Sequence, residues 1–362
     1  MYKLSIYENQ LERSINYMEL FPVKAVDRAY YEERLQDFLP EKIFDVHTHV
    51  YLPDLSNENS GRTVTWPSLV ANANPIEDLE ETARLMFPGK SYVPLMFAMP
   101  SEGMDMTEAN GYVSACATST GYPTLLLTKP EMTGDEVETG ILNGGFQGIK
   151  VYLSFAPAHI PTREISIFDF LPHEHLEVCD RYGLAVMLHI PRSKRLRDPL
   201  NIAQLLEIER KYKNLHLIVA HVGRAYTRQD VGDAFEMLRD TKNMVFDFSA
   251  NTNSWVFEQL IKEVGSSRIL FGSDLPITRM RMRRIERDGI YVNLIPRGLY
   301  GDVSDDPNMG ELDPPESDKL SFFLYEEIEA MRQAAMKTSL GRSDIERMFW
   351  SNAISIFRVG QK

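Results

Sequence analysis

The stretch IFDVHTHVY, residues 43–51, decides the fold and directs attention to the chemistry. An apolar run ends there in two histidines, His47 and His49, which are separated by one residue. Side chains at positions i and i+2 of a β-strand point to the same face. If the segment is a strand, both imidazoles lie on one face at its carboxyl end, and this spacing suits two nitrogen ligands of one metal ion.

Seven further apolar runs follow and establish a repeating pattern: YVPLMFAM, YPTLLLT, GIKVYLS, LAVMLHI, LHLIVAH, MVFDFS and RILFGSD. Near-continuous apolar runs of this length are typical of strands buried on both faces of a parallel sheet. Helical patterns at 199–214, 230–241 and 254–265 lie between such runs, as in βαβ units. Eight runs within about 230 residues predict an α/β fold of the (β/α)8 TIM-barrel class. An open doubly wound sheet would carry a glycine-rich turn after its first strand, and HTHVYLPDLS at 47–56 has none.

The composition limits the kind of protein. Hydrophobic residues make up 43% of the 362 residues, enough for a large buried core. The formal net charge of −13 argues against nucleic-acid binding, which needs a basic surface. No apolar run approaches the ~20 residues that cross a bilayer, and the first residues lack the apolar segment of a signal peptide, so we expect a cytoplasmic protein with no membrane contact. Cys116 and Cys179, the only two cysteines, are predicted to be small buried hydrophobic residues.

The sequence divides into an extension and one domain. Residues 1–40 are charged, have a helix-like pattern and end at a proline, which predicts an N-terminal helical extension. Residues 41–362 are predicted to form the barrel domain. Within it, 277–319 is an insertion after the eighth strand, which we expect to cover the site as a lid or to make a subunit contact. Its basic part, 279–287, is interpreted as a charged helix face, with a basic patch for an anionic substrate as the alternative; 298–318 is interpreted as loop and 320–362 as C-terminal helices.

Residues that bind metals or transfer protons also end other predicted strands. His189 ends LAVMLH, His221 ends LHLIVAH and Asp274 ends RILFGSD, while Lys150 lies within GIKVYL. Active sites of barrels are built at the carboxyl ends of the strands, so these side chains are expected to meet there. Isolated polar residues also occur inside barrels. That interpretation explains one or two positions, but not a set of this size at strand ends.

Three other histidines serve as a comparison. His173 and His175 have the spacing of the first pair, but they begin a helical pattern, in which residues i and i+2 diverge by about 200°. They are predicted to be surface or interface residues. His216 opens the strand that His221 ends, and the odd separation is expected to put these two on opposite faces, so His216 is predicted to be structural.

Taken in order, DVHTH on the first strand, GIK on the fourth, LH on the fifth, AHVG on the sixth and FGSD on the eighth resemble the amidohydrolase superfamily. The similarity is strongest to its amidohydrolase-2 branch, which contains hydrolases, lactonases and non-oxidative decarboxylases. The closing SNAISIF resembles the terminal helix of that branch. The resemblance covers residues 43–276 and 343–357, whereas the N-terminal extension and the insertion depart from the branch pattern.

The resemblance implies a metal site built from the residues at the strand ends. Asp274 would also accept a proton from the attacking water, and His221 would be a catalytic acid/base or a ligand of a second ion. In a binuclear centre, Lys150 would be carbamylated and would bridge two ions. A single divalent ion is favoured, with Lys150 unmodified and near the ion or the substrate; zinc is favoured and manganese is the alternative. The residues implied as ligands of the single ion are His47, His49, His189 and Asp274.

The implied function is that of a metal-dependent hydrolase, which activates water and cleaves an ester, lactone or amide of a small molecule. Arg192 and Arg224 follow two of the ligand strands, and a guanidinium binds carboxylate through a planar fork, so an anionic or polyhydroxylated substrate is expected. A salt bridge at the barrel rim is the competing interpretation for each arginine. Metal-dependent decarboxylation of a small carboxylic acid is the alternative reaction. A non-catalytic barrel used for binding is the second alternative, and assembly into a homo-oligomer is implied by the resemblance alone.

Overall fold

A computed structural model describes residues 20–53, 66–101 and 103–360, and eight parallel strands follow one another in it in chain order. Each of the eight apolar runs contains one strand, as predicted. The strands are β1 (Lys42–His49), β2 (Ser91–Phe97), β3 (Leu126–Leu127), β4 (Gly148–Val151), β5 (Ala185–Leu188), β6 (His216–Val219), β7 (Met244–Asp247) and β8 (Ile269–Leu270).

The eight strands form two sheets, and backbone contacts join these sheets along both pairs of edges. β1 pairs with β2, and β3 to β8 form a six-stranded sheet in chain order, all parallel. At one pair of edges, Met96 forms a parallel bridge with Thr124, next to β3. At the other, Val46 N donates to Phe271 O over 2.9 Å, and Asp274 N donates to His47 O over 2.8 Å. The chain therefore has the (β/α)8 fold, and β1 lies beside the residues that follow β8.

Helices connect most of the successive strands. The predicted helices at 199–214 and 254–265 are present, whereas 230–241 is split into two short helices because Gly232 has φ 55° and ψ −128°. The Asn253 side chain accepts hydrogen bonds from the first-turn N–H groups of its helix and so defines where that helix begins. The α-helices of the described residues are Ala25–Tyr30, Trp66–Val70, Ile76–Met86, Met106–Thr120, Gly134–Gly144, His173–Tyr182, Pro199–Lys211, Arg228–Val231, Ala234–Leu238, Ser254–Val264, Phe323–Lys337, Arg342–Glu346 and Asn352–Ile356, with π-helical turns at Tyr31–Leu35 and Arg347–Ser351 and a left-handed turn at His221–Arg224.

Apolar side chains pack on both faces of the sheet. One cluster, which includes Phe44 and Ile218, faces the barrel axis and is covered by Phe357 near the end of the chain. A larger cluster lies between the strands and the surrounding helices. Cys116 and Cys179 are free and buried, as predicted. No helix in the described ranges is both long and apolar enough to cross a bilayer; the cytoplasmic location and the homo-oligomer stay predictions.

The insertion forms a small sheet of its own, and the interpretation of residues 279–287 as a helix face is wrong. β9 (Arg283–Arg287) and β10 (Ile290–Pro296) form an antiparallel hairpin, and β11 (Met309–Leu312) pairs with β10 in parallel. The hairpin turns at Asp288 and Gly289, with φ values of 53° and 78°, the left-handed conformations that two-residue turns require. The Asp-Gly pair predicts such a hairpin, and the basic composition obscured it.

A buried ion pair joins the extension to the insertion. Arg281 donates to both carboxylate oxygens of Asp27, over 2.8 and 2.5 Å, and both side chains are almost fully buried. The Ser321 hydroxyl donates to the same carboxylate over 2.9 Å, and Arg281 also donates to Leu320 O over 3.1 Å. The described part of the extension is thus held against the C-terminal part of the barrel domain; residues 1–19 lie outside the described residues.

Replacing Arg281 with Met is expected to lower the free energy of unfolding by about 3–5 kcal/mol, because the buried Asp27 carboxylate is left without its counter-ion. Urea unfolding followed by circular dichroism measures the change. Arg297→Met is the matched control, because Arg297 is 57% exposed and each of the pairs it breaks, with Asp313 and Glu311, is expected to contribute less than about 1 kcal/mol. Equal effects of the two substitutions would show that the buried pair does not stabilise the extension.

Candidate metal centre

His47 and His49 lie at the carboxyl end of β1 and point to the same side, as the alternation predicts. Their ring centroids are 5.5 Å apart, and both side chains are buried. Asp274, which follows β8, approaches both: its Oδ1 atom lies 3.5 Å from His47 Nε2 and 3.3 Å from His49 Nε2. Ligand-type atoms of these three residues all lie within 4.8 Å of one another. The fold thus brings two imidazoles and a carboxylate together from opposite ends of the domain.

The ring nitrogens of the two histidines differ in their partners. His47 Nδ1 lies 3.0 Å from Asp247 Oδ2, and an ionised carboxylate can only accept, so Nδ1 donates and the neutral ring leaves Nε2 unprotonated. His49 Nε2 lies within hydrogen-bond distance of Asp274 Oδ1, at 3.3 Å, and His49 Nδ1 lies 3.5 Å from Ala98 O. A nitrogen lone pair of His47 therefore faces a carboxylate oxygen at 3.5 Å, and His47 Nε2 is buried without a hydrogen-bond partner. A divalent cation relieves this repulsion, and the donor set is one that zinc-type ions bind.

Asp247, at the end of β7, orients the neighbouring histidines. Its side chain is fully buried, and its Oδ1 atom accepts hydrogen bonds from the backbone N–H groups of His221 and Ser249, over 3.0 and 3.1 Å. The Ser249 hydroxyl donates to the same oxygen and accepts from His221 Nδ1 over 2.9 Å. His221 Nδ1 therefore carries the ring proton and Nε2 is unprotonated. Ligand-type atoms of His47, His221 and Asp247 also lie within 4.8 Å of one another, but these hydrogen bonds already occupy both carboxylate oxygens.

His189 and His221 stand next to this group. The His221 ring centroid is 4.7 Å from that of His47 and 5.1 Å from that of His189. His189 Nδ1 is buried without a hydrogen-bond partner. Among the described residues, the groups whose ligand-type atoms lie within 4.8 Å of one another do not include His189. It therefore lies beside the group formed by His47, His49 and Asp274 and not within it.

Lys150, on β4, is fully buried, and its Nζ atom has no hydrogen-bond partner. The amine lies over two aromatic rings, 5.0 Å from the centroid of Phe97 and 4.8 Å from that of Tyr152. Burial lowers the pKa of Lys150 to about 8, against the opposing effect of the Asp247 and Asp274 charges. An amine with this pKa is present in both charged and neutral forms near neutral pH.

Burial also sets the protonation of the histidines. It lowers the pKa of His47 to about 3, and it lowers the pKa values of His189 and His221 as well. At Asp274, burial raises the pKa, but the hydrogen bond with His49 and the nearby histidines outweigh burial and hold the pKa below its ordinary value. At neutral pH His47, His189 and His221 are therefore neutral imidazoles and Asp274 is an ionised carboxylate, which are the protonation states that metal ligands need.

Left-handed backbone conformations cluster where the strands end. The φ angle is 54° at His221, 51° at Val222, 58° at Arg224 and 61° at Asp274. For residues other than glycine this region costs roughly 1–2 kcal/mol each, and the surrounding contacts must enforce it. The turn at His221 breaks the strand alternation, so the argument from an odd separation does not apply there. His216 is outside the site because it opens β6, at the opposite end of that strand.

Two residues at the site were missed by the sequence analysis. Asp247 ends MVFD in the same way that Asp274 ends its own run, so the position of an acid at a strand end was the available signal. Tyr152 follows β4 directly; its hydroxyl lies 3.4 Å from His49 Nε2, and its ring is stacked 6.4 Å from the ring of His189.

The comparison histidines lie elsewhere. His173 and His175 begin the helix His173–Tyr182, as predicted, but the prediction of a surface position is wrong for His175, whose side chain is fully buried against Met132 in the connection that follows β3. His175 Nε2 lies 2.6 Å from Met132 O, and His173 Nδ1 lies 2.8 Å from the Tyr212 hydroxyl. Each ring is bound to a partner of its own, and they share no ligand position.

The two predicted substrate-binding arginines differ in their surroundings. Arg192 Nε lies 3.7 Å from Asp198 Oδ2, so a carboxylate at the rim balances its charge. Arg224 Nη1 donates to the backbone carbonyls of Ile190 and Pro191, over 3.3 Å each. Among the described residues, no carboxylate oxygen lies within 4 Å of a guanidinium nitrogen of Arg224, the distance that defines the ion pairs found elsewhere in the chain. The positively charged guanidinium of Arg224 therefore has neutral carbonyl groups as its hydrogen-bond partners and no described counter-ion.

These features define a (β/α)8 protein with a candidate site for a divalent metal ion at the carboxyl ends of its strands. The chain belongs to the amidohydrolase family, because the family model described as Amidohydrolase, Amidohydro_2, matches residues 45–359. The family is one of metal-dependent enzymes that act on small molecules. A search of curated proteins finds no match.

Solved structures of low sequence identity share the fold. An amidohydrolase 2 from Bifidobacterium longum subsp. infantis has a TM-score of 0.51 and 15% identity, and the match covers 89% of this chain and 100% of that one. A dihydroxybenzoic acid decarboxylase from a Polaromonas species, with manganese and 2-nitroresorcinol bound, has a TM-score of 0.52 and 14% identity, covering 88% and 97%. An amidohydrolase from Burkholderia multivorans with zinc bound has a TM-score of 0.53 and 10% identity, covering 88% and 99%.

Asp247→Asn is expected to weaken divalent-metal binding by about 10–100-fold. The new side-chain NH₂ group cannot accept the hydrogen bonds that the His47 ring and the His221 backbone donate to the carboxylate, so both histidines lose part of their orientation. Titration of the metal-free protein with Zn²⁺ in a calorimeter measures the affinity. Asp198→Asn is the matched control: Asp198 is a buried helix cap that accepts from Leu200 N over 3.0 Å, and asparagine caps equally well. Unchanged zinc affinity in a folded Asp247→Asn protein would contradict the assigned role.

Proposed function

We propose that this chain is a metal-dependent hydrolase that cleaves an ester, lactone or amide bond of a small anionic molecule. The observation that carries the proposal is the convergence of His47 Nε2, His49 Nε2 and Asp274 Oδ1, three atoms that can each bind one divalent ion through a lone pair. His189, beside this group, would complete the ligand set. A divalent ion held there supplies Lewis-acid activation of water and of the scissile carbonyl.

The chain's own residues would move the proton. In the hydrolysis, water adds to the carbonyl carbon, the bond to the leaving oxygen or nitrogen breaks, and one proton passes from water to the leaving group. Asp274 is ionised and 16% exposed, so its carboxylate can accept that proton. His221 Nε2 is unprotonated and can relay it, since the ring is held through Nδ1 by Ser249.

A single ion is the better fit. A second ion would need His221 and Asp247, and the Asp247 oxygens already accept four hydrogen bonds from His47, His221 and Ser249. Lys150 would then stay unmodified and contact the substrate. Three imidazoles and one carboxylate favour zinc, and manganese is the alternative. Related folds are described with each of these metals bound.

The substrate would carry a negative charge. Arg224, which has no carboxylate partner, and Lys150, which lies under Tyr152, are cations near the candidate metal ligands. Arg224 also contributes, after burial, to the low pKa of His189, which reflects its nearness to the site. Arg192 contributes less, because Asp198 pairs with it.

Decarboxylation of a small aromatic acid is the second candidate. The Lys150 amine lies between the rings of Phe97 and Tyr152, an environment that suits a planar acid. In that reaction a proton is delivered to the ring carbon as the bond to the carboxyl group breaks and CO₂ leaves. A panel of lactones, esters and amides, set against hydroxybenzoate-type acids with CO₂ detection, separates the two reactions.

Protein purified without chelators or a metal-binding tag is expected to contain about one equivalent of zinc or manganese per chain, since one complete ligand set is available. Elemental analysis of the intact protein measures it. Two equivalents would favour the binuclear centre with a carbamylated Lys150. A metal-free protein that takes up neither ion on dialysis would overturn the proposed hydrolase.

Arg224→Met is expected to raise KM for the anionic substrate that the panel identifies by about 10- to 100-fold, because a hydrogen bond to a charged group contributes about 1.5–3 kcal/mol. Steady-state kinetics measure KM and kcat for the intact enzyme. Arg192→Met is the control and is expected to change KM less, because its charge is already paired. An unchanged KM for Arg224→Met would remove this arginine from the substrate site.

A further inference from the structure

Ala250 stands at a strained position close to the candidate metal centre. It follows Ser249 directly after β7, is buried, and has a φ angle of 50°, in the left-handed region that residues with a Cβ atom rarely adopt. The backbone there turns sharply away from the strand. A conformation of this kind persists only where neighbouring groups enforce it.

Side chains from two other parts of the chain hold both backbone polar groups of Ala250. Arg284, on β9 of the insertion, donates from Nη1 to Ala250 O over 2.6 Å. Glu327, on the helix Phe323–Lys337, accepts from Ala250 N over 2.6 Å and is fully buried. The peptide groups on either side of Ala250 are therefore fixed from outside the β7 loop.

Arg284 is itself held rigidly. Its Nε atom donates to Asn293 Oδ1 over 2.8 Å, across the β9–β10 hairpin. Its guanidinium carbon lies 4.7 Å from the ring centroid of Tyr226, 4.6 Å from that of Tyr291 and 4.7 Å from that of Phe323. A planar cation stacked among three rings loses little further freedom when it binds the carbonyl, so it can act as a fixed support.

The supported segment carries the hydrogen bonds that orient the histidines. Ser249, the neighbour of Ala250, receives the His221 Nδ1 proton at its hydroxyl over 2.9 Å and at its carbonyl over 3.2 Å. That carbonyl belongs to the peptide group whose N–H, on Ala250, is bound by Glu327. The Ser249 hydroxyl also donates to Asp247, which accepts from His47 Nδ1. Rotation of this peptide would move the Ser249 carbonyl away from His221 Nδ1, and a shift of Ser249 would disturb the hydrogen bond from its hydroxyl to Asp247.

We propose that Arg284 is a positioning residue: through Ala250 it holds the Asp247–Ser249 segment in the conformation that aims His47 at a divalent cation and orients His221 beside it. The insertion is then part of the scaffold of the site and not solely a lid or a subunit contact. The inference rests on the metal site of the proposed function, and it assigns to the insertion a role in metal affinity.

The test is Mn²⁺ binding to chelator-treated full-length protein, followed by the electron paramagnetic resonance signal of the free ion, together with the melting temperature of each variant. Arg284→Met is expected to raise the Kd for Mn²⁺ by about tenfold, the low end of the effect of groups that orient ligands. Arg284→Lys keeps a donor that can reach Ala250 O, and it should recover part of the affinity.

Two controls separate positioning from general stability. Arg283→Met changes the neighbouring residue of β9, which is 49% exposed and pairs with Glu326, and should leave both the Kd and the melting temperature unchanged. Arg281→Met breaks the buried pair with Asp27 and should lower the melting temperature while the Kd stays that of the wild type. If Arg281→Met does not fold, Arg283→Met and Arg284→Lys still decide the question.

The measurements distinguish a wrong role for Arg284 from a wrong metal site. If the wild-type protein binds Mn²⁺ and Arg284→Met binds it equally tightly, the positioning role is wrong and the metal site stands. An affinity that falls in step with the melting temperature across all variants would also overturn the positioning role. If the wild-type protein binds no Mn²⁺ and no Zn²⁺, the proposed function fails first.

Discussion

The buried carboxylate of Asp247 is the constraint on which the site depends. A buried charge is tolerated only when its lone pairs are satisfied, and this one accepts hydrogen bonds from a histidine ring, two backbone N–H groups and a hydroxyl. Each donor is thereby fixed in position. Because His47 and His221 are among the groups held, the requirement to satisfy one carboxylate determines which ring nitrogens remain as lone pairs and where they point.

Backbone strain at the ends of the strands is stabilised by contacts with the segments that are added to the barrel. His221, Asp274 and Ala250 all have left-handed φ angles, which a simple βα turn does not enforce for residues of these types. Backbone groups nearby are held from outside: Arg284 of the insertion and Glu327 of a C-terminal helix bind the two sides of Ala250. Arg281, also in the insertion, binds Asp27 and so holds the N-terminal segment against the insertion. The additions to the barrel are therefore bound to the part of the molecule that carries its chemistry.

The sequence analysis succeeded where a local rule applies. Alternation along β1 placed His47 and His49 on one face, and strand-end positions identified Lys150, His189, His221 and Asp274 as residues that come near one another. It failed at the basic segment 279–287, where charge was weighed above the Asp-Gly turn that makes a hairpin. Asp247 was missed because a single acid at a strand end is not distinguished from a structural one until its partners are known. Neither the ligand set nor the reaction follows from these rules.

The amino-acid sequence by itself determined the order of the eight barrel strands, the barrel class and the family, because periodicity, turn residues and short motifs are local properties of the chain. Only the tertiary structure decided which nitrogens are unprotonated, that His189 lies beside the His47, His49 and Asp274 group, and that the insertion contacts the β7 loop. Those facts depend on atoms that are far apart along the chain, as in the hydrogen bond from His47 to Asp247, two residues separated by 200 positions. Protonation is set by the partner on the far side of each ring, and no pattern along the chain identifies that partner.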